Sequence, residues 1–225
     1  MILPKKEAPL FEGFPKIPRL SRECIITEKI DGTNASILIT TGCETLGPQF
    51  LTGSRTRWIT PDDDNHGFSR WAHEHQEELM ALGPGHHFGE WWGAGIQRGY
   101  GLKEKRFSLF NTSRWSSPDL YPECCYVVPV LYQGLFSLSV VDTVINELRQ
   151  NGSRASPGFK QPEGIVLYHV AAQTLFKKTV EHDDEPKNAH LPRERKPQAV
   201  TTRNPNLGGR RKAELPYDGP NRRLR

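Results

Sequence analysis

The chain has little cysteine and no long apolar segment. It contains four cysteines in 225 residues, none of them two residues apart from another, which argues against a zinc site and favours reduced structural thiols. No apolar run approaches the length of a membrane span. Residues 1–20 carry basic side chains but no apolar core of signal-peptide length. We therefore expect a monomeric cytoplasmic protein that has no membrane association.

The charge of the chain is unevenly distributed. A hydrophobic content of 36% and a charged content of 25% indicate one soluble globular domain, which we place at residues 1–186. Residues 187–225 hold 11 Lys and Arg against 3 Asp and Glu, together with five prolines. This composition predicts a basic tail that is disordered or loosely packed. The tail either contacts nucleic-acid phosphates without reading their sequence or serves only as a solubilising terminus.

The apolar patterns predict a mixture of strands and helices. Short runs of branched and aromatic residues predict strands at residues 35–40, 107–110, 125–132 and 163–170. Helical periodicity predicts an amphipathic helix over residues 68–82. A second helix is predicted from Ser139, as its N-cap, to Gln150. Strand and helix do not alternate regularly, so the fold class is predicted to be α+β rather than doubly wound.

Residues 27–34 read Thr-Glu-Lys-Ile-Asp-Gly-Thr-Asn and precede an apolar run. A lysine placed before an Asp-Gly turn resembles the arrangement by which covalent nucleotidyltransferases present an amine to a nucleotide phosphate. Lys29 is therefore the candidate nucleophile, and the competing interpretation is a hairpin turn with a solvated lysine. An amine attacks only when unprotonated, and a free lysine has a pKa of about 10.4. Lys29 therefore needs either a lowered pKa or close pairing with the phosphates that depart.

Further segments follow in an order that suits the same chemistry. They are GSRTR at 53–57, FGEWWGAGIQ at 88–97, PEGIVL at 162–167 and LFKK at 175–178. With EKIDGTN, these segments resemble the motifs of ATP-dependent RNA ligases of the type-two phage family, within the superfamily of DNA ligases and mRNA capping enzymes. The resemblance covers roughly residues 20–190. It implies a nucleotidyltransferase domain in which antiparallel sheets with flanking helices surround an ATP cleft.

The resemblance also implies roles for individual residues. Lys29 takes AMP from ATP, Glu90 holds the nucleotide sugar, and Glu163 helps to place the metal ion or its waters. Lys177, the first lysine of the last motif, contacts the α-phosphate. Other positions implied to contact the nucleotide or to shape its site are Glu28, Asp31, Gly32, Asn34, Arg55, Phe110 and Lys178.

The strand period decides between the two adjacent lysines. Neighbouring side chains on a strand point to opposite faces, so we expect only one of Lys177 and Lys178 to enter the site. Lys177 is the preferred candidate. Lys178 is expected to be a solvated partner of Glu181 or Asp183.

The same alternation separates two phenylalanines. Phe107 and Phe110 should face opposite ways, and the resemblance puts Phe110 at the position that stacks on adenine, with Phe107 in the core. Trp91 and Trp92 are predicted to be core or rim aromatics. Two polar residues keep alternative roles. Asp31 orients Lys29 or merely forms the turn, and Asn34 either contacts substrate or caps the turn.

The predicted reaction requires a divalent cation and an anion-binding group. Departure of pyrophosphate needs Mg²⁺, or Mn²⁺, with hard oxygen ligands, for which Glu90 and Glu163 are the candidates. The forked donors of Arg55 suit a phosphate or the RNA end. The predicted protein is an RNA ligase that joins an RNA 5′-phosphate to a 3′-hydroxyl through a lysyl-AMP intermediate. A DNA ligase, a GTP-dependent capping enzyme and a catalytically degenerate RNA-binding module are the alternatives.

Overall fold

The computed structural model describes residues 10, 12–42 and 47–183. Within these residues the strands are β1 Glu23–Lys29, β2 Thr33–Thr40, β3 Gln49–Ser54, β4 Trp58–Ile59, β5 Gly85–Gly93, β6 Lys105–Leu109, β7 Cys125–Val127, β8 Val130–Leu135, β9 Gly164–His169 and β10 Thr174–Thr179. The α-helices are α1 Phe68–Glu74, α2 Gln76–Leu79 and α3 Leu138–Asn151. Residues 187–225, the predicted basic tail, lie outside the described part of the chain.

The first sheet has the strand order β10-β9-β1-β8, and every neighbouring pair in it is antiparallel. One of its faces packs on α3. The core between them consists of Cys24 and Ile26 from β1, Ile165 and Leu167 from β9, and Val144, Ile145 and Leu148 from α3. Full burial of an Ile or Leu side chain contributes about 1.5–3 kcal/mol, so this interface fixes which face of β1 and β9 is left for other contacts.

Helix α3 begins two residues earlier than its sequence pattern predicts. Ser137 is the N-cap, because it has extended backbone angles and its hydroxyl accepts a hydrogen bond from the Val140 N–H at 3.2 Å. The prediction of Ser139 as the cap is therefore wrong, and Ser139 lies inside the first turn. Gly152 follows the helix with a φ of +86°, a conformation that glycine adopts without a steric penalty.

The second sheet has the strand order β4-β3-β2-β5-β6-β7. Its pairs are antiparallel except for β6 and β7, which run parallel, so the expectation of purely antiparallel sheets needs this correction. The buried face carries the larger core. Its members include Ala35, Ile37, Ile39, Trp91, Phe107 and Leu109 from the sheet and Phe68, Ala72, Leu79 and Leu82 from the helical segment.

Two predicted elements are interrupted in the structure. The helix predicted over residues 68–82 breaks at His75, whose φ of −106° and ψ of 18° separate α1 from α2, and it ends in a 3₁₀ turn at Met80–Leu82. The strand predicted over residues 125–132 is divided into β7 and β8. Pro129 lies between them and cannot donate a ladder hydrogen bond, although its carbonyl accepts from the Glu28 N–H at 2.9 Å.

A third core cluster surrounds the connection between β1 and β2. Ile30 packs there with Trp92, Tyr100 and Val128. Both Trp91 and Trp92 are buried, which confirms that they are core aromatics. In the residues that the structure describes, no helix has the length and apolar character needed to cross a bilayer.

Candidate active site

Lys29 is the last residue of β1, and its ammonium pairs with a buried carboxylate. Its Nζ lies 2.6 Å from Oε2 of Glu163, whose side chain is only 2% exposed, whereas that of Lys29 is 21% exposed. Strand register causes this contact, because Lys29 pairs with Gly164 at the start of β9 and Glu163 directly precedes it. The lysine is therefore held in one position while it remains accessible from solvent.

The turn after Lys29 is tied to β5 through Gly32. Its N–H donates to Oε1 of Glu90 at 3.0 Å. A Cβ at this position would lie 2.5 Å from the Trp91 carbonyl oxygen and 2.7 Å from the Trp92 Cβ. Only glycine fits so close to the neighbouring strand, and this approach brings Glu90 to the same end of the molecule as Lys29.

Asp31 is buried within the same turn and is held from two directions. Its N–H donates to the Tyr100 hydroxyl at 2.9 Å, and Arg98 Nε lies 3.1 Å from its Oδ2. Arg98 also donates to the carbonyl of Gln161 at 2.9 Å. Asp31 thus connects the turn to the segment that leads into Glu163, which goes beyond the role of a simple turn-former. Arg98 directly follows the FGEWWGAGIQ string but carries no signature of its own in the sequence, so its role was not predicted.

Glu90 is the most electrostatically perturbed carboxyl of this cluster. Its pKa is raised from 4.5 to about 7, mainly by burial and to a smaller extent by the carboxylates of Glu163 and Asp31, against the opposing effects of Lys29 and the Gly32 N–H. Burial and, to a smaller extent, the neighbouring carboxylates disfavour the ionised form of Glu90, and a nearby positive charge favours it. The site is therefore prepared to accept a cation.

We expect Glu90→Gln to stabilise the protein at alkaline pH and not at acidic pH. The pKa of Glu90 is about 7 in the folded state against 4.5 in the reference state, so the folded protein retains a proton that the unfolded chain loses between these values. The free energy of unfolding of the wild type therefore falls as pH rises through this window. The variant escapes this loss, which amounts to at most about 3 kcal/mol.

Urea denaturation in chelator-containing buffer at pH 4.5 and pH 8 measures the effect. The comparison at pH 4.5 is the internal control, because there the carboxyl and the amide are both uncharged for most of the folded population. A variant that is less stable than the wild type at pH 8, or equally stabilised at both pH values, would contradict the expected result.

Glu28, the neighbour of Lys29, points away from this cluster. It shares the buried face of β1, where its Oε2 accepts from the N–H groups of Arg154 at 2.7 Å and Ala155 at 2.9 Å. Burial raises the pKa of this carboxyl, and these hydrogen bonds and nearby Arg154 oppose the rise. The side chain of Glu28 therefore holds the loop before β9, and this placement does not support the expected contact with the nucleotide.

The two lysines of β10 lie on opposite faces of the first sheet. Lys177 pairs with Val166, which pairs with Thr27 on β1, so Lys177 shares the face of Thr27 and Lys29. Lys178 faces α3 instead, where its Nζ lies 2.9 Å from Oδ1 of Asp142. This partner replaces the expected Glu181 or Asp183. The placement of Lys178 does not support a contact with nucleotide.

The remaining predicted positions belong to the second sheet. Phe107 is buried in the core, whereas Phe110 directly follows β6, is partly exposed and donates its N–H to the Phe88 carbonyl at 3.0 Å. Asn34 lies within β2 and pairs with Glu90, so the two side chains share a face. Arg55 is exposed in the turn between β3 and β4. None of these residues is part of the Lys29–Glu163 ion pair. Asn34 is connected to it indirectly, because it pairs with Glu90, which interacts electrostatically with Lys29.

Glu90 and Glu163 fit a divalent cation that takes part of its coordination from a substrate. Their carboxylate oxygens are hard ligands of the kind that Mg²⁺ and Mn²⁺ prefer. No group of three or more His, Cys, Asp or Glu side chains in the described ranges is arranged to hold a metal by itself. This suits Mg²⁺ or Mn²⁺, because Mg²⁺ is commonly held by one or two carboxylates together with substrate phosphates.

The fold is similar to solved structures of an RNA ligase from Naegleria gruberi. An apo variant matches with a TM-score of 0.53 and 19% identity over 74% of this chain and 53% of that chain. A variant with ATP and Mn has a TM-score of 0.51 and 19% identity, with 74% of this chain and 53% of that chain covered. A variant with AMP and Mn has a TM-score of 0.51 and 18% identity, with 70% of this chain and 49% of that chain covered. The chain thus spans about half the length of these ligases, and the likeness defines its fold. None of the curated proteins matches the chain.

A protein-family model identifies the family of the chain, which is more specific than the similarity of its fold. The model described as RNA ligase matches residues 22–179. This range runs from the residue before β1 to the end of β10 and includes Lys29, Glu90 and Glu163. The chain belongs to the RNA ligase family.

Proposed function

We propose that this member of the RNA ligase family is ATP-dependent, resembles the type-two phage enzymes and works through a covalent lysyl-AMP intermediate. The observation that carries the proposal is the position of Lys29. Its amine lies at the accessible end of β1, 2.6 Å from the buried carboxylate of Glu163, and interacts electrostatically with Glu90. A solvated lysine in a hairpin turn would not have this buried partner.

In the first step, Nζ of Lys29 attacks the α-phosphorus of ATP. A nitrogen–phosphorus bond forms, the bond from that phosphorus to the oxygen bridging to the β-phosphate breaks, and pyrophosphate leaves with the electron pair. The amine must also lose a proton, and Oε2 of Glu163 is placed to accept it. The AMP then passes to an RNA 5′-phosphate, and an RNA 3′-hydroxyl displaces it to form the phosphodiester bond.

The other residues of the site hold the groups that react. Gly32 and Asp31 fix the turn that carries Lys29, and Arg98 joins this turn to the segment before Glu163. Lys177, on the same sheet face as Lys29, would offset negative charge that develops on the α-phosphate. A divalent cation held by Glu90 and Glu163 would stabilise the departing pyrophosphate.

Specificity for adenine and for RNA is also part of the proposal. Phe110 is partly exposed next to the strand that carries Glu90 and would stack on the base. Asn34 on β2 and Arg55 in the turn after the neighbouring strand β3 would contact the sugar–phosphate part of the nucleotide or the RNA end. The N. gruberi ligase structures that contain ATP and Mn, or AMP and Mn, support the choice of nucleotide and metal.

The deciding experiment is incubation of the protein with α-labelled ATP and Mg²⁺, followed by denaturing electrophoresis. We expect label to remain on the protein with ATP and not with labelled GTP, which separates a ligase from a capping enzyme. Addition of RNA with a 5′-phosphate should then remove the label, and a DNA end of the same sequence should remove it more slowly. Failure of the protein to take up label from either nucleotide would leave only the RNA-binding module.

A further inference from the structure

The open face of the second sheet carries a row of aromatic side chains close to the candidate active site. Trp58 is 49% exposed and Phe88 is 47% exposed, and His86 lies between them. Single exposed apolar residues are ordinary, but adjoining aromatic rings on one face of a sheet are typical of a binding surface. Trp58, His86 and Phe88 are called the aromatic row below.

Strand register and ring contacts make the row continuous. Trp58 on β4 pairs with Gly53 on β3, Gly53 with Ser36 on β2, and Ser36 with Phe88 on β5. The ring of His86 lies 5.5 Å from that of Trp58 and 4.0 Å from that of Phe88, between centroids. Its Nε2 is also 3.0 Å from the Ser36 hydroxyl. The imidazole is therefore fixed by contacts on three sides.

Small residues beneath the row allow the indole to lie against the sheet. A Cβ on Gly53 would be 2.7 Å from Oγ of Ser36 and 3.2 Å from the ring of Trp58. A side chain at Gly53 would therefore crowd Ser36 and press against the indole of Trp58. The indole thus lies next to Gly53 and is still about half exposed to solvent.

The row borders the residues that the proposed function assigns to catalysis. Phe88 precedes Glu90 by two residues on β5, so both side chains share a face. Ser36 follows Asn34 in the same way on β2, and Asn34 pairs with Glu90. The exposed cation Arg55 lies in the turn that leads to Trp58. Aromatic rings beside a cation are the combination that binds single-stranded nucleic acid.

We propose that the aromatic row is a stacking platform for bases of the RNA strand whose end is joined. The inference rests on the proposed function and names the surface that would hold the substrate. The row holds three rings, with centroids 5.5 Å apart from Trp58 to His86 and 4.0 Å apart from His86 to Phe88, so it is longer than one base needs. It therefore fits consecutive bases of a polynucleotide rather than the adenine of ATP alone. Because every base has a π-face, binding here would not depend on sequence.

The test measures binding of fluorescently labelled single-stranded RNA by anisotropy, without ATP or divalent metal. We expect Trp58→Ala to weaken affinity roughly 5- to 150-fold, the range for loss of one stacked base, and Trp58→Phe to retain most of it. The slope of log affinity against log salt should not change, because no phosphate contact is removed. Phe176→Ala is the matched control, since Phe176 is an exposed aromatic on the α3-facing side of β10 and should not affect binding.

A second arm needs no substitution. The wild-type protein should bind an abasic ribose-phosphate chain of equal length more weakly than RNA, and Trp58→Ala should reduce this difference in affinity, because one stacking ring is lost and His86 and Phe88 remain. The platform is overturned if Trp58→Ala leaves RNA affinity unchanged, if it flattens the salt slope, if it weakens ATP affinity in place of RNA affinity, or if the wild type binds the abasic chain as tightly as RNA.

The outcome is separate from that of the proposed function. RNA binding without ATP does not require a lysyl-AMP adduct. If labelled ATP gives no adduct but Trp58→Ala still loses RNA affinity, the platform stands and the ligase mechanism fails. If the adduct forms and RNA affinity ignores Trp58, the mechanism stands and the platform fails.

Discussion

Lys29→Ala is expected to abolish the covalent AMP adduct that the wild-type protein forms with α-labelled ATP and Mg²⁺. The substitution removes the amine that lies 2.6 Å from Glu163, and with it the atom that would bond to the α-phosphorus. Lys29→Arg should be equally inactive, because a guanidinium keeps its proton at any accessible pH. Both variants are assayed by denaturing electrophoresis, where the adduct is read directly.

Lys103→Ala supplies the control for this result. Lys103 is an exposed lysine in the segment between β5 and β6, so its removal should leave labelling at the wild-type level. Thermal melting of Lys29→Ala verifies that the variant is folded. Labelling that persists in folded Lys29→Ala would remove Lys29 from the role of nucleophile and transfer it to another amine.

Lys177→Ala is expected to reduce the rate of adenylylation by about 10²-fold, the effect typical of removing one preorganised electrostatic contact. The structure places Lys177 on the Lys29 face of the first sheet. Lys178→Ala is the natural control, since its ammonium pairs with Asp142 on α3. An exposed ion pair of this kind contributes at most about 1 kcal/mol, so this variant should label at nearly the wild-type rate.

Single-turnover labelling at saturating ATP distinguishes the two variants, because it measures the chemical step apart from nucleotide affinity. The reverse pattern, with Lys178 critical and Lys177 dispensable, would mean that β10 contributes its other face to catalysis. Equal and severe losses in both variants would indicate that β10 acts through the stability of the sheet edge.

Strand β1 shows why part of the fold escaped sequence analysis. The buried positions of β1 are Cys24, Ile26 and Glu28, and a glutamate at the third position disguises the alternation that marks a strand. Glu28 is tolerated there because loop N–H groups of Arg154 and Ala155 hold its carboxylate. These partners lie more than a hundred residues along the chain, so no local pattern could predict them.

The candidate site also contains residues that the sequence predicts and residues that it does not. The positions of Lys29, Glu90 and Glu163 could be predicted because each lies in a recognisable motif, and the fold brings all three to one end of β1. Arg98 has no such signature, and its contact with Asp31 depends on tertiary structure. The aromatic row required the register of four strands, since a shift of one residue would turn its rings to the opposite face.

Side chains of β1 alternate between the two faces of the sheet, so adjacent residues have different roles. Lys29 lies on the face of the proposed active site, where it contacts Glu163. Glu28 lies on the opposite face and anchors the loop that leads to Glu163. A survey of random variants in living cells would find both positions intolerant of change. Substitutions at Lys29 should leave normal amounts of an inactive protein, whereas substitutions at Glu28 should lower its abundance, because an unanchored loop raises the unfolded fraction that cellular proteases remove. Measuring protein level beside activity would separate one neighbour from the other.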